Sequence, residues 1–271
     1  MEVLPFAVSL IAALALAPAL RRSLADGGFV RENYRGARLV FPFGVLIVFA
    51  AVVALVALAP LDEYADTTTL AAEVWPIAVY ALGVAFLGLA DDALGGPARG
   101  WRGHGAAVLQ GRLSTGALKA VGSLGLALLV LRGRDDYLLS VAVLVLATNL
   151  FNLLDLRPGR AVKAFVLLGA ALTLGAWDTD PLWALGLFAA PVLVAGLYDL
   201  RERAMLGDTG SNLVGALAGL WLVLTLSTTG LVVSALVLAG ITAYGEFRSL
   251  NALVERAPVL KHLDSIGRPH A

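Results

Sequence analysis

Nine stretches of mostly apolar residues, each about 16 to 21 residues long, limit what this chain can fold into more than any other feature. A helix that crosses a lipid bilayer needs roughly 20 such residues. The stretches lie at about residues 3–20, 39–59, 73–90, 116–131, 137–154, 161–177, 181–198, 211–227 and 229–247. Because the connections are short, we predict one all-α bundle of about nine membrane helices, with residues 1–271 forming a single integral membrane domain.

The composition agrees with a membrane protein and excludes several other classes. Of the 271 residues, 59% are hydrophobic and 15% are charged, whereas soluble domains carry about 25% charged residues. The net charge is zero, so no basic field points to nucleic acid as a partner. The absence of cysteine excludes disulfides, iron–sulfur clusters and thiolate zinc sites. The first apolar stretch follows no basic region and precedes no small-residue cleavage site, so we expect a retained helix.

The distribution of Lys and Arg predicts which ends of the helices face the cytoplasm. With the N-terminus outside, the inside segments hold 18 of the 20 basic residues. These residues are Arg21, Arg22, Arg31, Arg35, Arg38, Arg99, Arg102, Arg112, Lys119, Arg157, Arg160, Lys163, Arg201, Arg203, Arg248, Arg256, Lys261 and Arg268. A wrong helix count would scramble this asymmetry, so it supports both the count and the orientation. Arg31, Arg35 and Arg38 could also attract anionic head groups, or could serve topology alone.

The residues after the ninth stretch, 248–271, form a cytoplasmic tail under this orientation. Scattered apolar residues run through it, and Pro258 divides it. We therefore expect two short interfacial helices rather than a tenth membrane span.

Four carboxylates lie at helix ends on this predicted cytoplasmic face: Asp91, Asp92, Asp155 and Asp208. Carboxylates near hydrocarbon are costly and usually have a partner or a task. An adjacent Asp pair beside other carboxylates suits Mg²⁺, with Mn²⁺ as the alternative, because Mg²⁺ binds one or two carboxylates together with substrate phosphates. The other interpretation of Asp91–Asp92 is a helix end that simply meets water.

The segment GDTGS contains the residue types of an anion-binding helix start. Gly207 and Gly210 allow close approach to a ligand, and Asp208, Thr209 and Ser211 are residue types typical of an N-cap. The free N–H groups of the following helix attract anions. A plain capped helix would explain the polar residues, but not the two glycines that flank the Asp.

Polar residues also mark the fifth and fourth stretches. Asn149, Asn152 and Asp155 are spaced at i, i+3 and i+6, so they share one helical face directed to the bundle interior. They could form an interhelical hydrogen-bond ladder or line a polar site. Lys119 could extend its ammonium group to the membrane–water interface, or it could hold a phosphate as a point charge.

Four segments, in this order, are similar to motifs of one enzyme superfamily. They are NYRGARLVFPFG from Asn33, GLADDALGG around Asp91, TNLFNLLD ending at Asp155, and MLGDTGSNLVG around Asp208. Together they resemble the polyprenyl-phosphate N-acetylhexosamine-1-phosphate transferase superfamily (glycosyltransferase family 4), which includes phospho-N-acetylmuramoyl-pentapeptide transferase. The resemblance runs from about Asn33 to Gly219.

This resemblance implies transfer of sugar-1-phosphate from a nucleotide-sugar, UDP-linked in most of the family, to polyprenyl phosphate for cell-wall or surface glycan synthesis. It implies a multi-pass protein of the cell membrane with its active site facing the cytoplasm, and it allows a homodimer. Asp208 and Asp92 would hold the metal, and Asp91, Asp92 and Asp208 would be catalytic. The implied substrate-binding residues are Lys119, Asn149, Asn152, Asp155, Gly207, Gly210 and Ser211.

The chain departs from the family pattern in the parts that recognise the donor. Pro158 stands where family members carry a second Asp after the one matching Asp155, and Gly95 stands where many carry a basic residue. No segment resembles the family's histidine-rich loop. A homologue that binds polyprenyl phosphate or a protein partner without turnover is therefore the alternative. A lipid transporter is less favoured, because the outer halves of the helices are apolar.

Overall fold

The structure is a computed structural model that describes residues 2–64, 70, 72–94 and 114–269. The described residues are 78% helical, with one two-stranded sheet. The predicted cytoplasmic residues Arg99, Arg102 and Arg112 lie outside the described residues, as does Gly95.

Within the described residues the chain forms twelve helices and two strands. They are α1 (Leu4–Asp26), β1 (Val30–Glu32), β2 (Arg38–Val40), α2 (Val45–Tyr64), α3 (Val74–Leu94), α4 (Thr115–Val130), α5 (Tyr137–Leu154), α6 (Arg160–Ala176), α7 (Asp180–Ala184), α8 (Gly186–Leu200), α9 (Gly207–Thr225), α10 (Thr228–Phe247), α11 (Leu250–Arg256) and α12 (Pro258–Ser265).

Five of these helices are long and apolar enough to cross a membrane: α1, α2, α3, α5 and α10. Helices α4 and α8 are apolar but shorter. The all-α prediction is confirmed for the described residues, and apolar helices of this length are compatible with a membrane protein.

Each of the nine predicted stretches contains a helix, but five boundaries differ from the prediction by four residues or more. Two of them are helix ends, because α2 continues to Tyr64 and α3 continues to Leu94. Helix α1 continues to Asp26, because Arg21 and Arg22 end the apolar stretch without ending the helix. Helix α2 starts at Val45, since residues 38–40 form strand β2 instead. Helix α9 starts at Gly207, four residues before the predicted start.

Helix α9 lies at the centre of the bundle. From Thr209 to Val223 all of its residues are buried, which is typical of a helix surrounded by other helices. Small residues permit this close packing: a Cβ on Gly215 would approach the backbone of Thr148 in α5 within 2.8 Å. Helices α3, α5 and α6 pack around it, so the start of α9 is held in a fixed position.

The first loop is a hairpin joined to the segment that precedes α9. Strands β1 and β2 are antiparallel, and Val40 forms a bridge with Ala204. The backbone N–H of Met205 donates to the carbonyl of Val40 at 2.9 Å, and Gly44 N–H donates to the carbonyl of Leu206 at 2.9 Å. The hairpin therefore helps to fix the turn that ends at Gly207.

The tail forms two short helices, α11 and α12, which meet at Pro258 as predicted. A buried ionic network fixes it: Arg160 donates from Nε and Nη2 to the two carboxylate oxygens of Asp264, both at 2.9 Å. Arg268 donates to Asp264 Oδ1 at 2.6 Å and to the carbonyl of Pro158 at 3.0 Å. The tail is thus attached to the turn between α5 and α6.

Candidate functional site

The centre of the candidate site is Lys119, whose ammonium group contacts two carboxylates. Its Nζ lies 2.6 Å from Asp91 Oδ2 and also donates to Asp208 Oδ2. Three helices supply these residues: Asp91 lies near the end of α3, Lys119 in the second turn of α4, and Asp208 at the start of α9. All three side chains are largely shielded, between 15% and 33% exposed, so their interactions are stronger than on an open surface.

Asp92 has a different role from its neighbour, because adjacent residues on a helix point about 100° apart. Its Oδ1 accepts from the backbone N–H of Asp208 at 2.9 Å. Its Oδ2 accepts from the N–H of Thr209 at 2.8 Å and from the Thr209 hydroxyl at 2.7 Å. Asp92 therefore caps α9 from a neighbouring helix and places a negative charge at the positive end of its dipole.

This arrangement corrects the predicted capping of α9. The residue in the N-cap position is Leu206, and it makes no side-chain capping bond. Asp208, Thr209 and Ser211 lie inside the helix rather than in front of it. The capping oxygens come from α3, where a local sequence pattern cannot indicate them.

The two glycines of GDTGS bring protein groups together. Gly207 has a φ of 71°, in the left-handed region, and a Cβ there would lie 2.8 Å from Asp92 Oδ2. Gly210 faces Gly44, whose Cβ would lie 2.2 Å from the Gly210 nitrogen. The contacts around both glycines therefore come from α3 and from the start of α2.

The polar stripe on α5 reaches the same region. Asn152 Oδ1 accepts from the hydroxyl of Ser211 at 2.8 Å, a contact between α5 and α9. Asn149 is half-buried one turn earlier. Burial, and then the negative charges of Asp199, Asp208 and Asp92, raise the pKa of Asp155 well above its usual range. Asp155 therefore lies within electrostatic reach of the other carboxylates.

Asp199, which we did not predict, joins the two turns that carry Asp155 and Asp208. It is 4% exposed and accepts from Gly159 N–H at 2.6 Å and from Leu206 N–H at 3.4 Å. Burial raises the pKa of Asp199 to about 6, against the effect of these two hydrogen bonds. It lies one residue before the end of an apolar helix, with no recognisable motif around it.

Arg31 was predicted to attract anionic head groups or to serve topology alone, and in the structure it contacts the site. Its guanidinium stacks over the Phe41 ring at 3.9 Å and donates to the backbone carbonyl of Asp92 at 3.1 Å. Together with Lys119, it supplies positive charge among the four carboxylates. The structure thus brings Asp91, Asp92 and Asp208 together with Lys119 at one end of the bundle.

The donor atoms in this cluster fit a hard divalent cation. Asp91 and Asp208 already share one cation, the ammonium of Lys119, which shows that two carboxylates can converge on one charge. Among the described residues, no group of three or more His, Cys, Asp or Glu side chains is arranged to hold a metal ion. Mg²⁺ does not require such a group, because it is usually bound by one or two carboxylates with phosphates and waters.

A scan against protein-family models finds no match for this chain, and a search of the curated proteins finds none either. The function must therefore be argued from the residues and their geometry.

Proposed function

We propose that this chain is a membrane enzyme that transfers a sugar-1-phosphate, of the N-acetylhexosamine type, from a nucleotide-sugar to polyprenyl phosphate. The donor is proposed to be UDP-linked, and the product to serve cell-wall or surface glycan synthesis. The observation that carries this proposal is the contact of Lys119 with Asp91 and Asp208, which joins three elements distant in sequence. Two of these residues belong to segments that resemble the superfamily's aspartate-pair and GDxGS motifs.

The proposed topology has about nine membrane spans, the N-terminus outside and the C-terminus in the cytoplasm. Placement of 18 of the 20 basic residues on one side supports it. Five helices already meet the length and apolarity of a span. The active site would then face the cytoplasm at the surface of the cell membrane, where polyprenyl phosphate can enter laterally and the nucleotide-sugar from water.

The proposed reaction is an in-line displacement at the β-phosphorus of the donor. An oxygen of the lipid phosphate forms the new P–O bond, and any proton on it passes to a carboxylate of the Asp91–Asp92 pair. The bond between the β-phosphorus and the bridging oxygen breaks, and its electron pair leaves with the nucleoside monophosphate. Such a reaction depends on positioning and charge neutralisation more than on covalent chemistry.

The residues around Lys119 are suited to these tasks. Lys119 would hold a phosphate oxygen as a point charge, and Asp92 keeps the start of α9 in position. Asn149, Asn152 and Asp155 would line the donor pocket, because the Asn152–Ser211 contact places this stripe beside α9. Gly207, Gly210 and Ser211 would shape the start of α9, beside which the phosphates would lie.

Mg²⁺, or Mn²⁺ in its place, is the proposed cofactor. Asp208 is its main candidate ligand, and Asp91 is the candidate partner because it converges on the same cation position. Asp92 was predicted as a ligand from the resemblance, and both of its oxygens accept hydrogen bonds from α9. When bound, the ion would neutralise the charge of the diphosphate.

One observation favours a second candidate, a homologue that binds polyprenyl phosphate or a protein partner without turnover. Lys119 contacts both Asp91 and Asp208, and Asp92 accepts hydrogen bonds from the start of α9, so all three carboxylates have partners within the protein. This candidate predicts lipid binding without a metal-dependent product. A homodimer remains compatible with either function.

The direct experiment incubates the purified protein with undecaprenyl phosphate, Mg²⁺ and a panel of nucleotide-sugars, and measures lipid-linked product. We expect one donor to give product. We expect Asp208→Asn to lower the rate at least about 100-fold, because the proposed Mg²⁺, which would stabilise charge at the reacting phosphate, loses its main ligand. Asp26→Asn is the matched control, since Asp26 is exposed at the end of α1.

The wild-type protein and the Asp26→Asn variant should give equal rates. Absence of product with every donor, together with retained binding of undecaprenyl phosphate, would support the binding protein instead. Equal rates for Asp208→Asn and Asp26→Asn would contradict the proposed site.

A further inference from the structure

A polar cavity is lined by residues outside the Asp91–Lys119–Asp208 cluster. Its volume is about 610 Å³, and it is bounded by the end of α1, strand β2 and the end of α8. The charged and aromatic residues that line it are Arg21, Arg22, Arg38, Arg203, Glu202 and Tyr198. None of these residues takes part in the proposed transfer reaction.

The cavity carries an excess of positive charge. Four guanidinium groups line it and only one carboxylate, Glu202, opposes them. The two oxygens of Glu202 accept from Asn33 Nδ2 and from the Tyr34 hydroxyl, both at 3.3 Å. The hydrogen-bond partners of this carboxylate are thus residues other than the four arginines.

The four guanidinium groups lack comparable partners. Between them and the other residues that the structure describes, there is neither a side-chain hydrogen bond nor an ion pair. All four residues are exposed. Like charges gathered around one cavity repel each other, and a multivalent oxygen anion would relieve that repulsion.

The planar shape of the guanidinium group favours a phosphate as the anion. A guanidinium presents a planar set of N–H donors that matches two oxygens of a phosphate group. Several arginines around one cavity can contact a phosphate from different sides. We propose that this cavity binds the phosphate group of an anionic ligand.

The position of the cavity favours a lipid as the source of that phosphate. Pro18 of α1 forms part of its wall, and α1 is one of the helices long enough to cross a membrane. The same helix exposes Ile11 (66%) and Leu14 (57%) two turns or less before Pro18. A lipid whose chains lie along α1 would therefore carry its head group to the arginines, because basic residues near a membrane surface attract anionic head groups.

The experiment measures binding of two probes to the purified full chain in detergent. The first probe is phosphatidylglycerol, followed by native mass spectrometry against phosphatidylcholine with the same acyl chains. The second probe is inorganic phosphate, followed by calorimetry. The site variant replaces four lining residues: Arg21→Gln, Arg22→Gln, Arg38→Gln and Arg203→Gln.

A matched control variant removes the same charge from exposed arginines outside the cavity. It carries Arg35→Gln, Arg201→Gln, Arg248→Gln and Arg256→Gln, all in exposed positions on the predicted cytoplasmic side. We expect the site variant to lose at least tenfold in phosphatidylglycerol affinity and the control less than threefold. The double variant Arg21→Gln/Arg22→Gln serves if the fourfold variant does not fold, with an expected loss of at least threefold.

The two probes distinguish a lipid head group from a soluble ligand as the source of the bound phosphate. Loss of phosphatidylglycerol binding in the site variant alone assigns the phosphate to a lipid. Loss of inorganic phosphate binding alone, with lipid binding unchanged, assigns it to a soluble ligand. If the site variant binds both probes as well as the control variant does, the proposal is overturned. This outcome does not depend on the result of the transferase assay.

Discussion

Removing the Asp264 carboxylate should release the C-terminal tail while the bundle stays folded. Asp264 accepts two hydrogen bonds from Arg160 and one from Arg268, and the three side chains are between 8% and 13% exposed. The substitution Asp264→Asn keeps the size of the side chain and removes its charge. It leaves two shielded guanidinium groups without an anionic partner.

The free-energy cost of Asp264→Asn for tail docking follows from the burial of these three side chains. Breaking a buried ion pair by removing one partner costs about 3–5 kcal/mol, and the lower end applies because Asn retains one acceptor oxygen. About 3 kcal/mol corresponds to an increase on the order of 100-fold in the undocked population. The tail should open locally, because α12 has no buried residue and α11 has one, Leu250.

Hydrogen exchange of the backbone amides in residues 250–269 measures this population. The matched control is Glu255→Gln, which removes a carboxylate from the same tail. Glu255 is 63% exposed and lies 3.6 Å from Arg157, so this pair contributes less than about 1 kcal/mol. Faster exchange in Asp264→Asn but not in Glu255→Gln is the expected result. Equal exchange in both variants, or loss of protection throughout the bundle, would show that Asp264 does not hold the tail to a bundle that stays folded without it.

The same network predicts a pH dependence for the tail. Burial would raise the pKa of Asp264, but the hydrogen bonds from Arg160 and Arg268 outweigh it and hold the pKa below the usual range. A carboxylate with a lowered pKa in the folded state contributes stability that is present above its ordinary pKa, near 4. This stability is lost as the pH falls through the lower, folded value. Hydrogen exchange, corrected for its intrinsic pH dependence, should therefore show a docked tail at pH 5 and release only well below pH 4.

Three further substitutions test the packing and charge around α9. Gly88→Ala should lower the free energy of unfolding by about 1–3 kcal/mol in thermal unfolding, because its Cβ would lie 2.4 Å from the Asp208 carbonyl oxygen. Gly125→Ala is the control and should be neutral or stabilising, because a Cβ there would meet nothing within 4 Å. Asp92→Asn should cost about 1–3 kcal/mol by removing a charged acceptor from the start of α9, and an unchanged melting temperature would contradict its capping role. Lys119→Met should lower the proposed transferase rate at least about 100-fold, and a rate within tenfold of wild type would exclude Lys119 from the reaction.

Much of the helix arrangement follows from the sequence, because apolar stretches and prolines act locally. Pro258 separates the two tail helices, since proline cannot continue the preceding one. The charge asymmetry also placed Asp91 and Asp208 at the same end of the bundle, although it did not predict that the two side chains meet. Their contact through Lys119 required only that α3, α4 and α9 be neighbours.

The sequence does not reveal where side chains point over long separations. Asp92 and Asp91 are indistinguishable in the sequence, yet one caps α9 and the other contacts Lys119. The pairing of Arg160 with Asp264 spans 104 residues, and no periodic pattern marks it. Asp199 was missed for the same reason, since its two partners are backbone N–H groups that any residue can supply.

The central claim is that the chain moves a sugar together with its phosphate. Transfer of label from the donor's phosphates to undecaprenyl phosphate tests it most directly, using donor labelled with ³²P at either the α- or the β-phosphate. We predict that the lipid product carries the sugar and the β-label, while the α-label leaves in the nucleoside monophosphate. A lipid product that carries the sugar without the β-label would contradict sugar-1-phosphate transfer.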